Sequence, residues 1–409
     1  MQEKYEAALN CLKKYGQEHL LNNYNNLSEE NKMKLLDQIL TIDFAQINDL
    51  YESTKKEISF ANDKIEPINY VDKSTVSNEE LKKYDNLGAE VIRQGKYAVV
   101  TMAGGQGTRL GHNGPKGTFK LGLENDKSIF EILIDSLKEN NEKYGVIIPW
   151  YIMTSRENNE QTENFFKENN YFGYEPTAIT FFKQGELPMC SEEGKLLIDE
   201  TGLIKEAADG HGGIFESMRR NGIIFDMENK GIEWAFIGPV DNVLVKMVDS
   251  TLLGVCLDKN VLAGGKSVVK ANSKEKVGVF CKRNGNPGVV EYTEISEEMA
   301  NMRDDYGSLV YGDLNAVFHL YNIKALEKVS NLKLPYHTAF KKAKYINKDG
   351  KLVIPEKPNA YKFEMFIFDS FEMLDDVLVL RVKREEEFAP VKNAEGSDSP
   401  ETARKLYKD

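Results

Sequence analysis

The chain has 409 residues, 41% of them hydrophobic, enough for a sizeable core in one large domain with additions or in two to three domains. Its formal net charge of −12, without any long basic run, argues against a nucleic-acid groove, because phosphate backbones are held by clustered Lys and Arg; any phosphate it binds is bound locally. Four dispersed cysteines, Cys11, Cys190, Cys256 and Cys281, form no CxxC pair and suit buried free thiols rather than a disulfide framework or a zinc site. Neither a signal-peptide pattern nor an apolar run of about 18 residues is seen, so the expected address is the cytoplasm, with no membrane association.

In chain order, residues 1–93 read as a helical segment. Within it, SEENKMKLLDQILTI offers Ser28 as an N-cap before Glu29 and Glu30, with Met33, Leu35, Leu36, Ile39 and Leu40 at helical spacing. From Tyr97 the texture changes to strand-length apolar runs, YAVVTM (97–102), VIIPWYIMTS (146–155), AITFFKQ (178–184) and WAFIGPV (234–240). The amphipathic stretches SIFEILIDSLKEN, ENNEQTENFFKEN and GIFESMRRNGIIFDMENKG alternate with them, the pattern of a mostly parallel sheet covered by helices. Ser128 and Glu131 have capping-box spacing. KVGVFCK and GVVEYTEI flank RNGNP, a hairpin with Asn284 and Gly285 in its turn. KFEMFIFDSFEMLDDVLVLRV reads as an aromatic-rich alternating block, and EEEFAPVKNAEGSDSPETARKLYKD as a polar loop with a short terminal helix.

The segment VVTMAGGQGTRLGHNGPKG places glycines and two cations, Arg109 and Lys116, behind an apolar strand. A strand followed by a glycine-rich turn directs backbone N–H groups at phosphate oxygens. Walker A spacing fails, since Lys116 lies between Pro115 and Gly117, and a dinucleotide fingerprint is a weak match because Leu110 occupies the place of its third glycine. Asp241 ends the strand WAFIGPV, where open α/β sheets place their ligands.

With AGGQGTRLG, PKG, IPWYIMTS, FFKQGELP, ADGHGG, VDNVLVK, VVEYTEIS, FIFD and REEEFAPVKNA in this order, the sequence resembles the eukaryotic-type UDP-sugar pyrophosphorylases, and looks closest to the N-acetylglucosamine members. The resemblance spans nearly the whole chain. It implies a three-layer α/β/α fold of the nucleotide-diphospho-sugar transferase type, Rossmann-like with a mixed, mostly parallel sheet. It further implies a helical segment at 1–93, a catalytic domain at 94–385 and a tail at 386–409 that carries a phosphate-binding lysine. The implied reaction is uridylyl transfer: a sugar 1-phosphate oxygen attacks the α-phosphorus of UTP in line and pyrophosphate leaves, chemistry that needs alignment and charge neutralisation more than a covalent nucleophile.

By the same resemblance, Met102, Ala103, Gly104, Gly105, Gly107 and Thr108 bring backbone against the nucleotide, and Gln184, Gly210 and Lys362 also contact it. Arg109, Lys116 and Lys392 counter phosphate charge. His211, Gly278, Glu291, Tyr292, Asn315, Phe366 and Phe368 face the sugar; the alternative for Phe366 and Phe368, which alternate on one strand face, is that they are simply core. Asp241 binds Mg²⁺, or Mn²⁺ in its place, as one carboxylate completed by substrate oxygens.

Three departures bear on the sugar and on regulation. His211 stands where N-acetylglucosamine members carry Asn, a version resembling the UDP-glucose and broad UDP-sugar branches; its expected role is a fixed hydrogen-bond contact. Leu314 stands where those members have Gly, which predicts a bulkier pocket wall. The chain also ends soon after Lys392, without the extended C-terminal region of longer members. The expected substrates are UTP and N-acetylglucosamine 1-phosphate, with glucose 1-phosphate or a broad sugar range as the enzymatic alternative and a non-catalytic UDP-sugar sensor as the alternative of another class. The expected state is a monomer or weak homo-oligomer.

Overall fold

The computed structural model describes residues 1–56 and 63–407, which fall into two compact units. The larger comprises residues 60–184, 214–333 and 367–409; the smaller is discontinuous, comprising 1–59, 185–213 and 334–366. This division differs from the contiguous segments expected. The helices α1 (Gln2–Tyr15), α2 (Glu29–Thr41) and α3 (Phe44–Thr54) belong to the smaller unit, whereas α4 (Asn78–Arg93) belongs to the larger. The reason is packing: Leu12, Leu35, Leu36 and Ile39 share one core with Cys190, Leu196, Ile204 and Phe363. Ser28 caps α2 as its spacing predicts, while Met33 and Leu40 stay exposed.

The larger unit is built on an eleven-stranded mixed sheet. In chain order its strands are β1 (Ile65–Pro67), β2 (Val71–Asp72), β3 (Tyr97–Met102), β4 (Trp150–Thr154), β5 (Ile179–Lys183) and β6 (Trp234–Pro239). They continue as β7 (Ala263–Val269), β8 (Val279–Arg283), β9 (Asn286–Val290), β10 (Asp313–Asn322) and β11 (Leu378–Arg381). The spatial order is β2-β11-β7-β10-β6-β3-β4-β5, with β8 beside β10 and flanked by β1 and β9. The run β6-β3-β4-β5 is parallel, β10 enters antiparallel between β6 and β7, and the β8–β9 hairpin turns through Asn284 (φ 53°) and Gly285 (φ 87°), as a type I′ turn demands.

Both faces of this sheet are covered, which is why β3 and β4 are buried throughout and, apart from Thr101 and Thr154, apolar rather than alternating. Tyr97, Val99, Trp150 and Ile152 share a core with residues of α4, α5 (Ile129–Tyr144), α6 (Asn159–Glu168) and α9 (Ser250–Lys259). On the opposite face Tyr151 donates to Asp226 at 2.7 Å, and Phe215 meets Tyr321 edge-on, so α7 (Ile214–Arg220) and α8 (Ile223–Asn229) form the third layer. The single helix suggested by GIFESMRRNGIIFDMENKG is therefore two, parted at Gly222, whose φ is 72°. Ser128 and Glu131 form the capping box of α5. The free cysteines are buried except Cys11, which is half-buried. Among the described residues no helix is long and apolar enough to cross a membrane.

The block 362–382 is not one alternating strand. The chain leaves its strand Ala360–Glu364, turns into a 3-10 helix at Ile367–Met373, and only then enters β11. Met365 donates its N–H to the Asp209 carbonyl instead of to a strand partner, and this ends the pairing. Phe366 and Phe368 therefore do not share a strand face; they lie in different units.

Candidate functional site

The register of the parallel strands aligns Met102 of β3 with Met153 of β4 and with Pro239 of β6. The loops that follow these strands thus emerge at one sheet edge, the carboxyl end where open sheets bind ligands. The glycine loop after β3 closes on itself: Lys116 N–H donates to Gly105 O at 3.0 Å, Gly107 N–H to Gly114 O at 2.9 Å, and Gln106 bridges Pro115. Short 3-10 turns at Thr108–Leu110 and Lys116–Thr118 carry the two cations. Met102, Ala103 and Gly107 are buried, while Gly105, Thr108 and Arg109 are exposed, and Arg109 has no ion pair among the described residues.

Two side chains shape this loop from outside. Asn158, fully buried before α6, donates Nδ2 to Ala103 O at 2.9 Å while its Oδ1 accepts the Ser155 N–H. Gln184, just beyond β5, is fixed through its own backbone N–H to Thr154 O at 2.8 Å, and a Cβ on Gly104 would lie 2.7 Å from its Oε1. Gly104 is needed because the Gln184 amide occupies the space a side chain would take.

At the end of β6, Asp241 Oδ2 lies 3.1 Å from Lys116 Nζ, each side chain only 16% exposed. The segment 387–392 is fastened beside it. Val391 N–H donates to Asp241 O at 2.7 Å, and Asn242 bonds both Glu387 O and Ala389 N–H, at 2.7 and 2.6 Å. Lys392 follows, its N–H on Asp398 O. Burial holds the Asp398 carboxyl above the ordinary aspartate range, against the pull of Lys392 and with a contribution from Asp241, so these three charged groups feel one another.

A second group forms where β8 and β10 meet. Asn315 N–H donates to Gly278 O at 2.9 Å, and a Cβ on Gly278 would come within 2.6 Å of Glu291 Oε1. Asn315 sits at a bulge: the pairing with β7 shifts between Lys266 and Ser267, and Val317 takes φ 60°, strained for a β-branched residue. The Asn315 Oδ1 is used internally, by Val317 N–H and His319 Nε2, which leaves its amide nitrogen as the group it can offer a ligand. Tyr292 is exposed and Phe368 is buried. Leu314 is a correction: it is buried in the main core opposite Val268 and Val279, so it adds nothing to a pocket wall.

The smaller unit holds the remaining expected residues. Its segment Glu186–Pro188 pairs with Glu206–Ala208, just before the turn that carries Gly210 and His211. Gly210 packs on the Met365 backbone, and Gly212 N–H donates to Met365 O at 2.8 Å. Phe366 stacks between His211 and His337, ring centroids 5.4 and 4.2 Å away. Lys362 pairs with Glu364 at 2.6 Å.

The sequence reading missed Asn158, Asn242 and His112, whose ring fills the space beside Gly107 and meets Thr118 Oγ1 at 2.8 Å. Asn158 reads as an ordinary N-cap. Asn242 stands inside VDN, and its chemistry was legible only as a neighbour of Asp241.

A doubly covered sheet with a parallel core, a self-closed glycine loop after its central strand and a cation–carboxylate pair at the carboxyl edge defines a nucleotidyltransferase-type α/β fold. The family model for UTP–glucose-1-phosphate uridylyltransferase matches residues 41–398, and the chain belongs to that family. It is 38% identical to UDP-N-acetylglucosamine diphosphorylase 2 of Arabidopsis thaliana, over 98% of this chain and 83% of that protein. It is 36% identical to the UDP-N-acetylglucosamine pyrophosphorylase of Saccharomyces cerevisiae, over 96% and 87%. The crystallised uridine diphosphate N-acetylglucosamine pyrophosphorylase of Trypanosoma brucei, in complex with inhibitor, superposes with a TM-score of 0.84 at 29% identity, covering 98% of this chain and 84% of that one.

Proposed function

We propose that the protein is a uridylyltransferase that forms UDP-N-acetylglucosamine and pyrophosphate from UTP and N-acetylglucosamine 1-phosphate. The observation that carries this reading is the Lys116–Asp241 pair, which joins the glycine loop to the end of the neighbouring strand β6 where the phosphates of a nucleotide would lie. The names of the relatives set the sugar: N-acetylglucosamine stands in both curated relatives and in the solved structure.

In this reading the exposed backbone of Gly105 and Thr108 receives the triphosphate, and Arg109 and Lys116 neutralise the leaving pyrophosphate. Gln184 presents an amide, which both donates and accepts, to the imide edge of uracil. Lys116 moves from Asp241 to phosphate oxygens when the nucleotide enters, so the resting pair stores both groups in a usable orientation. Lys392 holds phosphate charge beside Asp241, and Gly278, Glu291 and Asn315 bond sugar hydroxyls. Phe368, Tyr292, Gly210, His211, Lys362 and Phe366 keep the roles expected from the sequence.

A magnesium ion belongs to this proposal. Among the described residues no group of three or more His, Cys, Asp or Glu side chains is gathered for a metal, and Asp241 is a single part-buried carboxylate. That donor set fits a hard cation bound by one carboxylate and substrate oxygens, not a protein cage. When bound, the ion would supply charge neutralisation at the phosphates. A cytoplasmic address rests on the cysteines, which are unpaired, and burial pushes the thiols of Cys190 and Cys281 up to about 12, as in inert buried thiols.

The test is a pyrophosphate-release assay with UTP against N-acetylglucosamine, N-acetylgalactosamine, glucose and galactose 1-phosphates. The expected result is fastest release with N-acetylglucosamine 1-phosphate. Nucleotide-sugar binding without release would replace the enzyme by a sensor, and faster release with glucose 1-phosphate would reassign the sugar.

A further inference from the structure

Lys266, on β7, is fully buried, and its ammonium lies 2.5 Å from Asp249 Oδ2 and 2.6 Å from Glu387 Oε2, both carboxylates buried as well. None of the roles assigned above uses this triad. Burial is the largest influence on Lys266 and opposes its charge, yet Asp249 and Glu387 together outweigh it and hold the lysine above its ordinary range. Burial likewise opposes the Asp249 charge, and Lys266 with Lys73 keeps that carboxyl below the usual range. Lys266 and Asp249 thus hold each other in their charged forms in the core.

Buried ion groups of this kind are weak sources of net stability, since apolar residues of equal volume often do as well; their best-attested use is to fix a register. The register at stake here is that of the strap 387–392. Glu387 ends the short helix Arg384–Glu387, and the strap beyond it runs antiparallel to the residues that follow β6, bridging Asn242 with Pro390. Phe388, Ala389 and Val391 are buried and Lys392 is half-buried. Along extended backbone, side chains alternate, so a slip of one residue would turn the Lys392 side chain to the other side of the strap. Backbone bonds such as Val391 N–H to Asp241 O recur along any strand and do not choose among registers. The Asn242 amide, closed on Glu387 O and Ala389 N–H, fastens the strap, and the Glu387 carboxylate, closed on Lys266, is the side-chain contact that chooses its register.

We propose that Lys266, Glu387 and Asn242 are positioning residues that lock the strap in the one register that presents Lys392 to the phosphates, an inference that rests on the uridylyltransferase reading. Asp249 completes the lock: its other oxygen caps α9 at Leu252 N–H, 3.0 Å away, and so ties the lysine to the sheet's covering helix.

The experiment is a double-mutant cycle on the full chain, reading pyrophosphate release for the wild type, Glu387→Gln, Lys392→Ala and the double variant. Glu387→Gln is expected to lower kcat by about a hundredfold, as misplacement of a reacting group does, with KM for UTP little changed. The double variant should be no slower than Lys392→Ala alone, because Glu387 acts through Lys392. Losses that multiply overturn the proposal. Should Glu387→Gln not fold, hydrogen exchange of the wild type decides: the amides of Ala389 and Val391 are expected to be protected with those of β6, and exchange at loop-like rates overturns the lock. If the wild type releases no pyrophosphate, the functional reading falls separately, and exchange over 388–392 in Glu387→Gln then tests the lock: faster exchange supports it, unchanged exchange overturns it.

Discussion

Lys116 and Asp241 face each other at 3.1 Å across the carboxyl edge of the sheet, one from the glycine loop and one from the end of β6. Each is the other's partner in this structure, and under the proposed function phosphate would take Lys116 from Asp241. Asp241→Asn and Lys116→Ala should each lower turnover by about 10²–10³-fold, the range found when one electrostatic contact to a transition state is removed. Because the pair is partly exposed and therefore screened, the thermal midpoint should move little. Pyrophosphate release beside circular dichroism melts reads both, and wild-type turnover in either variant would sink the assigned roles.

Metal dependence is expected under the proposed function, with Asp241 as the one carboxylate. Chelation should abolish pyrophosphate release and leave the fold intact. Mg²⁺ alone should leave the melting temperature unchanged, whereas Mg²⁺ with UTP should raise it, since only the nucleotide completes the site. A large shift with Mg²⁺ alone would show a protein cage and contradict the site as drawn.

Gly104 and Gln184 compete for one space. Gly104→Ala forces the Gln184 amide to shift, and Gln184→Ala removes it; both should raise KM for UTP by about 10- to 100-fold, the worth of one or two buried hydrogen bonds. The sugar phosphate's KM should be spared. Equal losses for both substrates would point to collapse of the loop instead.

Asn158→Ala leaves the Ala103 carbonyl and the Ser155 N–H without their buried partner, a cost of about 1–3 kcal/mol. Denaturant unfolding should report that loss, and nucleotide binding should weaken with it. Unaltered stability would mean that water replaces the amide.

The Asp249–Lys266 pair sets a pH window. The Asp249 carboxyl is held below its ordinary range, so its contribution is present above the unfolded value of about 3.9 and is lost as pH falls through the folded one. Lys266 is held above its range, so its contribution is complete below about 10.4 and is lost as pH rises through the folded value. Asp249→Asn should cost about 3–5 kcal/mol between these limits, by leaving a buried charge short of a partner. Its acid unfolding should be less steep than that of the wild type; an identical slope would contradict the assignment.

What the sequence made legible follows from which forces are local. β3 was read to the residue because five apolar residues and Thr101 form a strand-length run between a polar turn and a glycine run, and the Ser128 capping box is four residues long. VIIPWYIMTS was read too long, since Pro149 and its neighbours precede the pairing that starts at Trp150. The cations of the loop were visible as residue types, but the pairing of Lys116 with Asp241 was not. Asn158, Asn242 and Glu387 act on groups far away in the chain, and Lys266 looks like any strand lysine until its two carboxylates are in place. Phe366 and Phe368 misled because their i, i+2 spacing fits a strand, whereas the chain leaves its strand at Glu364 and enters a 3-10 helix at Ile367.

The discontinuity of the smaller unit has a consequence for synthesis. Leu12, Leu35 and Ile39 share their core with Phe363, so that core cannot close until more than three hundred further residues have been added. At about 5–20 residues per second, the apolar faces of α1 and α2 wait on the order of 15–60 s after leaving the ribosome. During that interval the parallel strands of the larger unit must also find non-local partners, a slow step for any chain. The nascent protein thus passes through a long phase in which its first helices are sticky, and a chaperone that shields them would govern its yield.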